Sequence, residues 1–311
     1  MRIVAITGIN SYFAKTLLPK LEKDPDVEQI IGIDVSPFKG QSSKVVFHQK
    51  DIREPELEEL FRGADTLVHM AFIVDEIKDK QKTHDINIKG SQQVFQAAAA
   101  AGVKKIVYTS SIAAYGSHAD NPLRITEDMP LRPNTDSYYS SDKVAVEKFL
   151  DEFCSEHPDI IVTRLRPPII VGPNLSNTLA DSYTKESEFV IKGTDNQLQF
   201  LHEDDLGEAL FICVRRDLNG AFNIAADDTS TTRTIYGMAG IKPKELPVWL
   251  LKPLANITFW LGLSDVSQGW ISLSQHPVVV NTDKFKQATG WQPKYGTEEA
   301  FRSFLDSRVQ Q

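Results

Sequence analysis

The chain has 311 residues, 41% of them hydrophobic and 24% charged, with a formal net charge of −8. The length admits about two domains, and the composition excludes disordered, collagenous and coiled-coil chains. The acidic balance, with no basic cluster longer than Lys104-Lys105, argues against nucleic acid or a membrane surface as partner. Cys154 and Cys213 lie far apart. They form no disulfide framework or zinc spacing and fit a reducing, cytoplasmic setting. The apolar start Met1–Ile6 is broken by Gly8, Asn10 and Lys15, too soon for a signal-peptide core. Pro247–Leu263 is the most apolar stretch, but Lys252, Pro253 and Asn256 interrupt it, so it reads as a buried or interface helix and not a membrane span.

Taken in chain order, Arg2–Thr7, Gln29–Asp34, Lys44–Gln49, Thr66–Met70, Lys105–Ser110 and Ile160–Arg166 are Val- and Ile-rich runs of strand length. Between them, Tyr12–Lys23, Pro55–Phe61, Thr83–Ala101 and Ser140–Glu156 repeat apolar residues at intervals of three and four. Pro19 predicts a kink in the first of these helices. Strands apolar on both faces, alternating with helices, predict an α/β fold: a doubly wound, Rossmann-type parallel sheet covered on both sides. After about residue 172 the pattern changes. Pro173–Gly193 is polar, followed by a strand at Gln199–Leu201, a helix at Asp205–Arg215, a strand at Ala221–Ile224 and a closing helix near Thr297–Leu305.

The first strand meets the first helix at Thr7-Gly8-Ile9-Asn10-Ser11-Tyr12-Phe13-Ala14. A dinucleotide's pyrophosphate needs small residues here: one to turn, one to admit phosphate, one to pack helix on strand. Gly8, Ser11 and Ala14 stand at those places, and the Ser11 hydroxyl can cap the helix or bond a phosphate oxygen. Asp34 ends the second strand, where a carboxylate accepts from an adenosine ribose diol and repels a 2′-phosphate, favouring NAD over NADP. Asp51-Ile52 reads two ways, as an adenine contact or as a helix cap ahead of Pro55. On this basis residues 1–172 form a dinucleotide-binding domain. Residues 173–311 form a smaller mixed substrate lobe over the strand ends, with elements at about 199–224 returning to the main domain.

Tyr139 and Lys143 are four apart and share a helix face. A phenol ionises near ~10, too high for neutral-pH proton exchange. An ammonium ~4 Å away at an effective dielectric of ~20 is worth ~4 kcal/mol, roughly three pKa units. The spacing therefore predicts a tyrosine tuned as acid or base. Tyr138 is the decoy, with Asp142 four residues on. Ser110 and Ser111 end the strand upstream.

These residues, in this order, resemble the extended short-chain dehydrogenase/reductase family, in its epimerase/dehydratase branch. The resemblance covers nearly the whole chain, including Val68-His69-Met70-Ala71, Asn87-Ile88-Lys89-Gly90-Ser91, Leu165-Arg166-Pro167, Phe200-Leu201-His202-Glu203-Asp204-Asp205 and Gly290-Trp291-Gln292-Pro293. It implies an enzyme using NAD, with Ser111 and Tyr139 at the reacting oxygen. Lys143 would hold the nicotinamide ribose and lower the tyrosine's pKa. It implies that the backbone at Tyr12 and Phe13 approaches the pyrophosphate. Met70, Ala71 and Asn87 would lie along the cofactor, with Ala71 beside the nicotinamide ribose and Pro168 beside the ring. It also implies a homodimer through the helices Thr83–Ala101 and Ser140–Glu156. Leu198 stands where nucleotide-sugar members usually carry an arginine for the diphosphate. The apolar residues Trp249, Leu250, Leu251, Phe259, Trp260 and Leu261 resemble steroid-dehydrogenase relatives. The expected activity is NAD-dependent hydride transfer on a small hydroxyl or carbonyl substrate. A nucleotide-sugar epimerase or dehydratase is the alternative. A non-catalytic NAD-binding redox sensor is a third reading, which the intact Ser111, Tyr139 and Lys143 oppose. His202-Glu203-Asp204-Asp205 reads as a helix cap at Asp204 and Asp205, so no metal is expected.

Overall fold

Along the first strand, Val4 and Ile6 bury one face and Ala5 the other, because successive strand side chains point to opposite sides. Such a strand is stable only between two layers. The computed structural model, which describes residues 1–176, 178–184 and 188–309, supplies both. The first half runs β1 (Arg2–Thr7), α1 (Tyr12–Lys23), β2 (Val27–Asp34), β3 (Val45–Gln49), α2 (Leu57–Phe61), β4 (Thr66–His69) and α3 (Lys80–His84). A π-helical turn (Asp85–Gly90), α4 (Ser91–Ala100), β5 (Lys105–Thr109), a 3-10 turn (Ile112–Tyr115), α5 (Tyr138–Glu156), β6 (Ile161–Arg166) and β7 (Ile169–Val171) follow. The rest is α6 (Thr178–Ser182), β8 (Phe189–Ile191), β9 (Gln197–Leu198), β10 (Phe200–His202), α7 (Glu203–Arg215), β11 (Gly220–Asn223) and β12 (Ser230–Thr231). The chain closes with α8 (Thr232–Met238), β13 (Lys244–Leu246), α9 (Val248–Leu261), α10 (Gln268–Leu273), α11 (Asp283–Thr289) and α12 (Thr297–Val309).

Seven strands form one sheet in the order β11-β6-β5-β4-β1-β2-β3, every pairing parallel. The order reverses between β1 and β4, so a crevice opens at their carboxyl ends. On one face Leu17 and Leu21 of α1 and Leu206, Leu210 and Cys213 of α7 pack against Val4, Ile6, Val68 and Val107. On the other, Phe61, Val94, Phe95, Val146, Leu150 and Phe153 pack against Ala5, Ile31, Leu67 and Ile106. Helices α1 and α7 touch so closely that a β-carbon at Gly207 would lie 2.6 Å from the Thr16 carbonyl oxygen.

Three segments compare with their expected forms, and one of them, Thr83–Ala101, differs. α1 runs unbroken through Pro19. The single helix expected over Thr83–Ala101 is instead interrupted by the π turn. There Asn87 faces inward, and Ser91 donates to the Asn87 carbonyl at 2.5 Å. The Pro247–Leu263 stretch does form a helix, α9, closed by Gly262 at φ +75°. Only Leu251, Ala255 and Phe259 of it are buried, so its other side is bare.

Candidate active site

Gly8 turns the chain out of β1 at φ +74°, and a β-carbon there would lie 2.7 Å from the Ala71 nitrogen and 2.9 Å from the Met70 carbonyl carbon. Only glycine combines that backbone with that approach. Ser11 caps α1, its hydroxyl accepting from the Ala14 N–H at 3.2 Å. Ala14 is fully buried under the helix. The N–H groups of Tyr12 and Phe13 make no hydrogen bond among the described residues. They are free donors at a helix N-terminus, facing a cradle that a side chain at position 8 would fill, and they fit a pyrophosphate. The Tyr12 phenol is tied back to Glu203 at 2.5 Å. Burial and that carboxylate push its pKa up.

Asp34 sits at the end of β2. One carboxylate oxygen accepts from the Asn10 N–H at 3.0 Å, the other from the Ser36 N–H and hydroxyl at 3.0 and 2.9 Å. The carboxylate thus ties the glycine turn to the second strand. Asp51 caps no helix, because α2 starts at Leu57 with Glu56 as its cap residue. It pairs with Arg53, whose Nε and Nη2 donate at 2.9 and 2.7 Å, and this holds the carboxyl below its usual range. Ile52 is buried in the core beneath Gly90. Asn87 is fully buried. It accepts from the Ile73 N–H at 2.7 Å and donates to the Ile73 carbonyl and to Asp142 at 3.1 and 3.0 Å. It therefore pins the segment after Ala71 to α5. Pro168 follows β6, with the neighbouring Pro167 carbonyl accepting from Ile112 at 3.0 Å.

At the ends of β5 and α5 the structure brings Ser111, Tyr139 and Lys143 together. Ser111 leads the 3-10 turn, its hydroxyl accepting from the Ala113 N–H at 3.1 Å, and it lies near enough to the Tyr139 phenol to favour that group's ionised form. Ser137 caps α5 so that the helix begins at Tyr138, which puts Tyr139 in the first turn and Lys143 one turn on. Behind them Glu147 takes two hydrogen bonds from Arg166 at 2.8 Å. Asp151 takes one from Arg164 at 2.6 Å. These pairs bolt α5 to β6 and fix which face of the helix meets the crevice.

The electrostatics differ from the sequence-based expectation. Lys143 donates to the Thr109 carbonyl at 2.7 Å and sits 3.6 Å above the Phe72 ring centroid, whereas the Tyr139 ring centroid is 5.8 Å away. Burial raises the Tyr139 pKa and the nearby Ser111 hydroxyl offsets part of that. The lysine is itself pushed down to about 7 by burial, which the negative charges of Glu147 and Asp142 only partly counter. Burial therefore overrides the attraction that spacing alone suggested.

Two aromatic neighbours escaped the sequence reading. Trp270 of α10 stacks on Tyr139 with centroids 5.6 Å apart and planes at 27°, and Phe72 meets the same ring edge-on at 5.9 Å. Phe72 follows the Met70-Ala71 strand end directly, which was a usable signal; Trp270 comes from the far end of the chain and left none. Asp204 and Asp205 are not the cap of α7. His202 is, accepting from the Asp204 N–H at 3.1 Å, with its ring stacked on Tyr295. No metal-holding cluster occurs among the described residues.

The model of the NAD dependent epimerase/dehydratase family matches residues 4–225. The chain belongs to that family and is an NAD-dependent enzyme of the short-chain dehydrogenase/reductase type. An uncharacterized protein of Mycobacterium tuberculosis is 28% identical, the match covering 99% of this chain and 84% of that protein. The 3beta-hydroxysteroid-dehydrogenase/decarboxylase isoform 2 of Arabidopsis thaliana is 22% identical over 86% of this chain and 52% of its own. The solved UDP-glucose 4-epimerase of Thermotoga maritima, with UDP-glucose, superposes with a TM-score of 0.80 at 18% identity, covering 99% of both chains. That likeness shows the fold.

Proposed function

We propose that this enzyme interconverts a hydroxyl and a carbonyl on a small apolar substrate, working at Ser111, Tyr139 and Lys143. NAD supplies the hydride acceptor. Tyr139 takes the substrate's hydroxyl proton as the phenolate, or returns a proton as the phenol in reduction, while Ser111 donates a hydrogen bond to the same oxygen and stabilises the charge that develops there. Lys143, poised near neutrality, shares the proton load from behind the phenol, and the free N–H groups of Tyr12 and Phe13 hold the pyrophosphate. Gly8, Met70, Ala71 and Pro168 shape the crevice, and Asp34 favours the unphosphorylated ribose. Residues 1–172 carry the cofactor and residues 173–311 close over the substrate.

The observation that carries the substrate class is Trp270 stacked on Tyr139, an aromatic wall beside the reacting oxygen. At the position of the usual diphosphate-clamping arginine, Leu198 instead packs against a hydrophobic cluster. The test is a panel of apolar alcohols and ketones, 3-hydroxysteroids among them, followed at the NADH absorbance. Tyr139→Phe is expected to lower turnover by ~10²–10⁴-fold with NAD affinity retained. Undiminished turnover in that variant refutes the assignment. Saturable conversion of UDP-glucose without net NADH, in place of any apolar substrate, selects epimerisation instead.

A further inference from the structure

Asp142 of α5 is a fully buried carboxylate beside the Tyr139–Lys143 pair, and the reaction proposed above makes no use of it. Such a group is costly unless its oxygens are bonded, and both are. Oδ1 meets Nδ1 of His84 in α3, and Oδ2 accepts from the Asn87 amide of the π turn at 3.0 Å. The His84 side chain is 40% exposed, so the carboxylate is braced from the surface. Burial still raises the Asp142 pKa against the pull of both partners, so the fold carries a charge there that an apolar side chain would spare it. A carboxylate only accepts, which obliges the Asn87 amide nitrogen to face α5. The Asn87 oxygen is then left for the Ile73 N–H, which donates to it at 2.7 Å, and the other amide hydrogen reaches the Ile73 carbonyl at 3.1 Å. Tyr138 donates to the next carbonyl, that of Val74. Ile73 and Val74 thus hang from α5, and the residue just before them is Phe72. Its ring centroid lies 3.6 Å from the Lys143 Nζ, and the ring meets Tyr139 edge-on at 5.9 Å.

We propose that Asp142 is a positioning residue for this site: through the Asn87 amide it holds the Phe72 ring against the Lys143 ammonium and the Tyr139 phenol and keeps water from beneath them. The proposal rests on the roles given above to Tyr139 and Lys143. Without the carboxylate the Asn87 amide loses the partner that fixes its orientation. Ile73 is then free to shift, and Phe72 with it, and water takes the place of the aromatic face. Water favours the charged lysine, so this change raises its pKa, whereas loss of the Asp142 charge by itself lowers it. The other titratable groups around Lys143 are Glu147 on its own helix, Tyr139, Tyr108 of β5 at 3.4 Å and His69 of β4, which burial and the Lys143 charge lower to about 3. None of these is altered by a substitution at Asp142.

The test compares Asp142→Ala with Asp142→Asn. Both remove the same charge, but only the second leaves an acceptor for the Asn87 amide. The full chain, isotope-labelled at the lysine ε-carbons, is titrated by NMR, with the Lys143 signal assigned by its loss in Lys143→Met. Lys143 is expected to titrate about one unit higher in Asp142→Ala than in Asp142→Asn, about a tenfold difference in proton affinity. The Ile73 amide should exchange with solvent at least about tenfold faster in the alanine variant. Equal midpoints in the two variants overturn the proposal, because the carboxylate then acts by charge alone. If the alanine variant does not fold, the same comparison is made between His84→Ala/Asp142→Ala and His84→Ala/Asp142→Asn, which leave no imidazole unpaired. The titration needs no substrate, so the two readings fail separately. Undiminished turnover in Tyr139→Phe refutes the site, and with it anything for Asp142 to position. Equal midpoints beside an inactive Tyr139→Phe refute the role of Asp142 alone.

Discussion

Replacing Lys143 with methionine should make the protein more stable, and by an amount that depends on pH. The ammonium is buried above Phe72, and burial lowers its pKa from 10.5 to about 7. Below pH 7 both the folded and the unfolded chain carry the proton. The folded state then bears the whole penalty, about 5 kcal/mol at about 1.4 kcal/mol for each tenfold loss of proton affinity. Between pH 7 and 10.5 only the unfolded chain stays protonated, so the stability of the parent rises with pH through that window and the penalty fades. Methionine keeps the stem and removes the charge. Its stability advantage should be about 5 kcal/mol at pH 6 and fall to about 2 kcal/mol at pH 9. The lost hydrogen bond to the Thr109 carbonyl trims both values by about 1 kcal/mol. Urea unfolding of both proteins at the two pH values measures the change. A gap between parent and variant that stays flat from pH 6 to 9 would show that the lysine is not desolvated, and the poised proton in the proposed mechanism would go with it.

Two further substitutions probe the supports of the site. Gly8→Ala forces a β-carbon into the left-handed region, at about 1–2 kcal/mol, and against the Ala71 backbone, at about 1–3 kcal/mol more. Calorimetry should show lower stability together with NAD affinity weakened by at least about tenfold, and near-parental values of both would contradict the tight cradle. Glu147→Ala leaves Arg166 buried without its carboxylate, a loss of about 3–5 kcal/mol. An unchanged urea midpoint would mean that the Glu147–Arg166 pair does not hold α5 to β6.

The sequence alone determined the strand and helix alternation, the glycine turn, Asp34 at a strand end and the Tyr139–Lys143 spacing. These are written in local chemistry: alternating burial in strands, the positive φ of one glycine, the turn of a helix. Tertiary structure decided the rest. Spacing placed a cation near a phenol, but only the surrounding walls set its charge, and burial above Phe72 drew Lys143 toward neutrality instead of lowering the Tyr139 pKa. Asn87 looked like a cofactor contact, yet its amide is committed to Ile73 and Asp142, because the π turn directs it inward. Trp270 reaches Tyr139 from a distant segment, and the apolar run of α9 turned out to be covered on one side alone. Desolvation and packing sum over neighbours that lie far apart in the chain, so no local pattern encodes them.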